Sequence, residues 1–331
     1  PSDPSGFATL RLENGEISNC VVTGAANGGG ALFNGRGVNV IADKCLFANN
    51  SSDESASGSS KGGGAIGTTG SGGSFLFTNC TFYGNSAALG RGGAIYTGMD
   101  CKVINCTFTG NRAFNGGGFY GHNAGKMYTL INTICYNNID ENETGDIRRN
   151  NGDFTIYNCL ATVVSPALAE NFDSNGNILT TPAMKVFEND AAPELKDNGG
   201  NTLTVALHAT QSMAAKAGIA TAPAGIDVTI PTVDQRGYTR AAKPCMGAFE
   251  LGGIEPVGIQ TATADAKFNY SVEKGRLVIA ESGECRIFNM LGAKITELTI
   301  NGSAPINLES GIYIVRFMNE AGTSVAKVLI P

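Results

Sequence analysis

The sequence predicts an all-β chain: a right-handed parallel β-helix, a solenoid, over residues 1–252, followed by a small antiparallel β-sandwich over residues 253–331. Three observations support this prediction. A motif built on Asn-Cys-Thr-Phe recurs about every 26 residues in the first half, with apolar residues at alternate positions. Glycine-rich blocks separate its copies, and glycine reaches 45 of 331 residues, about twice the usual share. Short alternating segments then fill the C-terminal part.

The repeat is clearest in two copies. Asn79–Asn85 reads Asn-Cys-Thr-Phe-Tyr-Gly-Asn, and Asn105–Asn111 repeats it with one change. Looser copies place the second motif position at 20, 45, 80, 106, 133 and 159, so the intervals are 25, 35, 26, 27 and 26 residues. The long interval contains the serine-rich run Ser51–Ser60, which we interpret as a loop inserted into one coil.

The alternation assigns one buried face to the motif strand, because every second residue of a strand points to the same side. Coils that repeat one after another stack in parallel, so equivalent residues lie ~4.8 Å apart. A helical solenoid would instead show apolar residues spaced by three and four. Asparagines in register are expected to form two hydrogen-bonded ladders. These are Asn19, Asn79, Asn105, Asn132 and Asn158 in one, and Asn50, Asn85, Asn111 and Asn138 in the other.

A column of five of the nine cysteines predicts buried thiols in place of disulfides, with most of the nine cysteines free. Side chains stacked in register keep their Cβ atoms farther apart than the ~3.5–4.5 Å that a disulfide prefers. The column consists of Cys20, Cys45, Cys80, Cys106 and Cys159. No metal site and no cofactor is predicted, because the chain has only two histidines, His122 and His208, and no Cys-x-x-Cys pair.

Charge and hydropathy exclude several partners. The net charge is −6, and no basic run is longer than Arg148-Arg149, so neither nucleic acid nor an anionic membrane is expected to bind. No apolar stretch is long enough for a transmembrane segment. Residues 1–6 lack the features of a signal peptide, so we expect that one was removed or precedes this sequence.

Motifs near the end of the first part resemble a known family. They are Asp197–Leu207, Asp234-x-Arg236-Gly237-x-x-Arg240 and Gly247-Ala248-x-Glu250. With the repeats, they resemble, over about residues 10–251, the bacterial surface β-helix proteins of the choice-of-anchor type. The resemblance implies that these residues end the β-helix. From the residues alone, four charged side chains of these motifs form either internal ion pairs or an acid–base set: those of Asp234, Arg236, Arg240 and Glu250.

The C-terminal strands resemble the sorting domain of the type IX secretion system of Bacteroidetes, most specifically over Leu308–Val315. This resemblance implies that residues 253–331 engage the outer-membrane secretion machinery. It also implies export across the outer membrane of a Gram-negative bacterium, so that the protein is secreted or held at the cell surface.

Aromatic residues are the candidate ligand-binding residues. Tyr83 and Tyr136 lie on the face opposite the buried column, and the glycine block places Tyr96, Tyr120 and His122 outward in the same way. Exposed rings two coils apart, ~9.6 Å, suit stacking on an extended glycan. The alternative is that these rings pack under loops such as Ser51–Ser60.

The predicted function is a non-catalytic surface protein, adhesin-like, that binds a polysaccharide, a host surface glycan or host matrix. The alternative is a polysaccharide lyase or glycoside hydrolase, which would need acidic residues grouped on one face. The acidic run Asp140–Asp146 could form a calcium-binding or catalytic loop, or a solvated turn. Because the outward columns carry no series of carboxylates, no catalytic residue is assigned. A purely structural stalk also remains open.

Overall fold

The structure is a computed structural model that describes residues 6–23, 27–35, 37–53, 61–68, 72–143, 145–255, 270–273, 276–289, 293–320 and 322–330. The chain divides into two compact units, Pro1–Glu255 and Pro256–Pro331.

The first unit confirms the predicted parallel β-solenoid, with about five turns. Each coil passes through four short strands, which stack on equivalent strands of the next coil to form four parallel sheets, named I to IV in chain order. Sheet I contains Ala8–Glu13, Val38–Asp43, Ser74–Thr78, Asp100–Ile104, Met127–Ile131 and Asp153–Tyr157. Sheet II contains Glu16–Ser18, Leu46–Ala48, Thr81–Tyr83, Thr107–Thr109, Ile134–Tyr136, Leu160–Ala161 and Ile178–Leu179.

The other two sheets complete each coil. Sheet III contains Val21–Thr23, Ser51–Asp53, Ser86–Arg91, Arg112–Asn115 and Ile139–Asp140. Sheet IV contains Leu32–Asn34, Ile66–Thr68, Ile95–Thr97, Phe119–Gly121 and Ile147–Arg149. Between them, Asn27–Gly29 pairs in parallel with Lys61–Gly63, and farther along the chain Leu195–Lys196 pairs antiparallel with Thr204–Val205. Of the serine-rich run, residues 54–60 lie outside the described part of the chain.

Asparagines turn the chain at the corners between sheets, where the backbone adopts a positive φ that most side chains avoid. The corner between sheets I and II has Asn14, Lys44, Asn79, Asn105, Asn132 and Asn158 in this conformation. The corner between sheets II and III has Asn19, Asn49, Gly84, Gly110 and Asn137. Asn19 therefore belongs to the second corner, and its predicted place in the ladder of the first corner is wrong.

The second predicted ladder is present and continuous. Each Nδ2 donates to the Oδ1 of the next member: Asn50 to Asn85 at 3.0 Å, Asn85 to Asn111 at 2.9 Å and Asn111 to Asn138 at 2.8 Å. Asn138 Nδ2 then donates to Asp146 Oδ1 at 2.9 Å. The four amides and the carboxylate are thus joined in one series that runs across the coils.

The core is the predicted buried column of the motif strand. The rings of Phe47, Phe82 and Phe108 stack on one another with centroids 4.9 and 4.6 Å apart, and all three are fully buried. A 3₁₀ helix, Pro166–Leu168, and a short α-helix, Ala169–Phe172, follow the last coil. Their buried Leu168 and Phe172 join the same core cluster, so they cover its C-terminal end.

The cysteine prediction is confirmed for its chemistry: all nine thiols are free, and eight are buried. In the column, Cys80 Sγ donates to Thr78 O at 3.1 Å and Cys106 Sγ donates to Ile104 O at 3.3 Å. Where the column has Thr133, its hydroxyl makes the same bond to the carbonyl two residues earlier, at 3.1 Å. Cysteine and threonine thus satisfy the same carbonyl with a small side chain that carries one donor.

The predicted place of Cys20 in this column is wrong. The strand Glu16–Ser18 pairs with Leu46–Ala48, which puts the residue before Glu16, a glycine, beside Cys45. Cys20 lies instead at the next corner, where its N–H donates to Asn50 Oδ1 at 3.1 Å. In the first coil, the Asn-Cys pair lies one corner later than it does in the other coils.

The glycine blocks lie where the coil crosses from sheet III to sheet IV, backbone against backbone. A Cβ at Gly63 would overlap the carbonyl oxygen of Ile66, and a Cβ at Gly64 would overlap that of Gly93 in the next coil. No side chain fits at these positions, which explains why glycine recurs once per coil.

The second unit is an antiparallel β-structure, as predicted. Its strands form a single curled sheet, a half-barrel. Its strands are Tyr270–Glu273, Arg276–Phe288, Lys294–Pro305, Gly311–Asn319 and Gly322–Ile330. The long strand Arg276–Phe288 bends at an irregularity between Ile279 and Gly283 and pairs with three neighbours. Its inward residues form a separate core with those of the other strands.

Candidate functional site

The outer face of sheet II is covered by the chain's own residues 185–254, here called the covering segment. Thr81 Oγ1 donates to Gln235 Oε1 at 2.6 Å, and Ala248 N–H donates to Thr107 Oγ1 at 2.9 Å. Apolar side chains of the segment pack on Ile134 in a second core cluster. The outward columns of the motif strand therefore face protein.

Tyr83 and Tyr136 lie beneath the covering segment. They are two coils apart in register with Thr109, as predicted. Tyr83 Oη donates to Pro193 O at 2.9 Å, and the Tyr136 ring meets the Phe187 ring edge-on at 5.7 Å. Both tyrosines are half-buried. The structure thus places them in packing contacts, which was the alternative to ligand stacking, and their role in binding stays a prediction.

The charged residues of the family-like motifs form buried ion pairs. Arg236 pairs with Asp234 at 2.7 Å, and Arg240 pairs with Glu250 at 3.2 Å. Arg240 also donates to Asn79 Oδ1 at 3.2 Å, which ties the covering segment to the corner between sheets I and II. Every side chain in this set is less than 9% exposed. The set fastens the segment to the solenoid, in agreement with the ion-pair alternative.

The remaining candidates lie together on sheet IV. Tyr96 stacks in register on Tyr120, with ring centroids 5.6 Å apart. The His122 ring lies 5.3 Å from Tyr96 and 6.2 Å from Tyr120. The rings were expected to be exposed, but Tyr96 and Tyr120 are only 1% and 3% exposed, whereas His122 is half-buried. The tyrosines form a floor, and His122 stands at its rim.

Two arginines complete this group. The Arg91 guanidinium lies over the Tyr120 ring, 5.5 Å from its centroid. Arg148 occupies the next rung of sheet IV, directly beside Tyr120. Burial raises the pKa of Tyr96, and the charge and hydrogen bond of Arg91 oppose that rise. We call Arg91, Tyr96, Tyr120, His122 and Arg148 the sheet IV cluster.

Sequence reasoning did not identify the two arginines. Arg148 could have been found, because extending the glycine-block alignment by one coil pairs Ile147 with Phe119 and so Arg148 with Tyr120. Arg91 had no comparable signal. It lies at the end of a sheet III strand whose register shifts before Arg91, and its approach to Tyr120 depends on that shift.

The acidic run Asp140–Asp146 is used structurally at three of its carboxylates. Asp140 accepts hydrogen bonds from the N–H groups of Gly116 and Asn142, both within 2.9 Å. Glu141 pairs with Arg112. Asp146 is buried at the end of the asparagine ladder, where it accepts four N–H bonds.

Within the described residues, no three His, Cys, Asp or Glu side chains are grouped so that they could hold a metal ion. None of the helices in the described ranges has the length and apolar character needed to cross a bilayer.

One family comparison gives a match. Residues 79–98 match the Chlamydia polymorphic membrane protein repeat. This stretch contains the Asn-Cys-Thr-Phe motif, the following glycine block and Tyr96, and it is far shorter than half of the chain. No curated protein and no solved structure matches the chain.

Proposed function

We propose that this chain is a non-catalytic, surface-located β-solenoid protein that binds a glycan or host matrix, with an adhesin-like role. One observation carries the binding part: the sheet IV cluster sets a half-buried histidine and two arginines on an aromatic floor. The covering segment is anchored to sheets I and II: Lys102 Nζ of sheet I donates to Asp227 O, and Thr107 Oγ1 of sheet II accepts from Ala248 N–H. The half-buried His122 ring combines an apolar face with polar atoms, as sugar recognition requires, and the buried tyrosines support it from below.

The surface location is supported by the repeat match, which names a membrane protein of Chlamydia, and by the surface-protein resemblances of both parts of the sequence. Under this proposal, residues 253–331 direct export through the outer-membrane secretion machinery. The enzyme alternative would draw on the carboxylates of the acidic run. Those of Asp140, Glu141 and Asp146 already hold backbone or side-chain partners, so the binding function is favoured.

A glycan array probed with the labelled full chain tests the proposal, together with a panel of extracellular-matrix proteins and assays for new reducing ends and unsaturated sugar products. We expect binding to at least one glycan or matrix protein without product. Release of product would favour the lyase or hydrolase, and no binding on either panel would contradict the proposal.

A histidine pair provides the matched control for the site. His122→Ala removes the ring at the rim of the floor and is expected to weaken binding by about tenfold, roughly the loss of one good contact. His208→Ala removes the other histidine, which lies in the covering segment and accepts hydrogen bonds from the Thr210 and Gln211 N–H groups. Equal affinities of the two variants would place the ligand elsewhere.

A further inference from the structure

We infer that the sheet IV cluster recognises an anionic group on its ligand, so that the ligand class is an acidic polysaccharide carrying carboxylate or sulfate. This inference rests on the proposed function and deepens it. Its basis is the pair of arginines, Arg91 and Arg148, placed around Tyr120.

Both arginines have unused hydrogen-bonding capacity. Arg91 Nε and Arg148 Nε are buried and have no hydrogen-bond partner in the part of the chain that the structure describes, although both residues are partly exposed as a whole. A buried N–H without an acceptor is destabilising. A guanidinium presents its N–H groups as a planar fork that fits a carboxylate or a sulfate with two parallel bonds. Because Nε itself is buried, an anion would bind at the terminal N–H groups of the same guanidinium.

Among the described residues, neither Arg91 nor Arg148 forms an ion pair with a carboxylate; the ion pairs there involve other basic residues. The carboxylates on the flanking elements already hold partners: Glu141 pairs with Arg112 and Asp153 with Arg149. Asp140 accepts from the N–H groups of Gly116, which lies beside Arg148, and of Asn142. The cluster is therefore a local positive site on a chain whose net charge is −6.

The tyrosine floor fixes where these charges lie. The Arg91 guanidinium rests on the Tyr120 ring, a cation–π contact that holds the long side chain in place. Arg148 begins on the adjacent rung, and adjacent rungs are ~4.8 Å apart. An arginine held by packing loses less freedom on binding than a free surface arginine does. The site is thus arranged before a ligand arrives.

Three classes of polysaccharide distinguish the outcomes: dextran as the neutral one, polygalacturonate as the carboxylated one, and dextran sulfate as the sulfated one. We expect one or both acidic polymers to bind at least about tenfold more tightly than dextran, with affinity that falls as salt is raised. The stronger of the two identifies the anion. Neutral glycans bound as tightly as acidic ones would overturn this inference and leave the proposed function standing. Absence of binding to every glycan and matrix protein would overturn both.

A double variant tests the arginines directly. Arg91→Gln with Arg148→Gln is expected to lower affinity for the acidic polymer by about tenfold to a hundredfold and to reduce its salt dependence. Arg112→Gln is the matched control, since it removes the same charge from an exposed arginine of sheet III that already pairs with Glu141. Circular dichroism and thermal unfolding verify that the variants fold. Equal losses in the double variant and the control, each scaled per charge, would overturn the assignment to this cluster.

Discussion

Asn111→Ala tests whether the asparagine ladder stabilises the solenoid. The Asn111 side chain is 0% exposed and makes four hydrogen bonds. Its Oδ1 accepts from Asn85 N and Nδ2 at 3.0 and 2.9 Å, and its Nδ2 donates to Phe82 O and Asn138 Oδ1 at 3.0 and 2.8 Å. At a net ~1 kcal/mol for each buried bond, alanine should lower the free energy of unfolding by about 4 kcal/mol.

Urea unfolding followed by circular dichroism measures this loss, with the transition of the first unit fitted separately from that of the C-terminal sheet. Asn142→Ala is the control: Asn142 is exposed, and its Nδ2 bonds Asn115 Oδ1 at 3.1 Å, so we expect a change below about 0.5 kcal/mol. At neutral pH, Asn111→Asp should lower the free energy of unfolding more than Asn111→Ala does, because it points a carboxylate oxygen at two other acceptors, Phe82 O and Asn138 Oδ1. A loss below about 1 kcal/mol for Asn111→Ala would refute the reasoning.

Further predictions concern the core, the covered face, the ladder end and the thiols. Phe108→Ala, which empties a fully buried ring site, should cost ~3–5 kcal/mol in chemical unfolding, whereas Phe33→Ala, at a ring 44% exposed, should cost far less. Tyr83→Ala with Tyr136→Ala should destabilise the first unit, because both side chains pack beneath the covering segment; normal stability with lost glycan binding would instead assign them to ligand stacking. Burial raises the pKa of Asp146 from 3.8 to about 6, so the folded state binds this proton more readily than the unfolded state. The free energy of unfolding should therefore fall by about 2 kcal/mol as pH rises from about 4 to 6, and Asp146→Asn should remove that slope; a rise instead would mean that the four N–H donors outweigh burial. In denaturant without reductant, a thiol assay should count nine free cysteines, and a count of one would contradict the register.

The solenoid was predictable because its signal is local and repeated. Phe82 and Phe108 are marked as buried by alternation within a few residues, and the stacking of Tyr96 on Tyr120 follows from aligned glycine blocks. The predicted register was wrong for the first coil, where the sequence fits two alignments. Asn19 and Cys20 match the motif but lie at a different corner, and only the strand pairing distinguishes the two corners.

The covered face was not predictable in the same way. The residues that lie over Tyr83 and Tyr136 come from much later in the chain, 110 residues after Tyr83 and 51 after Tyr136, in a segment with few regular strands and no periodic pattern. The alternation of apolar and polar residues along a strand predicts which side chains point outward. It does not predict which other parts of the chain pack against them. The burial of Tyr96 and Tyr120 was missed for the same reason.

The asparagine ladder has an electrical direction. Each Nδ2–H points toward the next coil, so the side-chain dipoles add head to tail and their positive ends face the Asp146 carboxylate. An ionised carboxylate accepts hydrogen bonds but has none to pass on. Asp146 therefore ends the series as a chain-terminating monomer ends a polymer. Whole coils could be gained or lost between two asparagines without breaking the sequence of donors, whereas a coil added beyond Asp146 would find no amide to continue from.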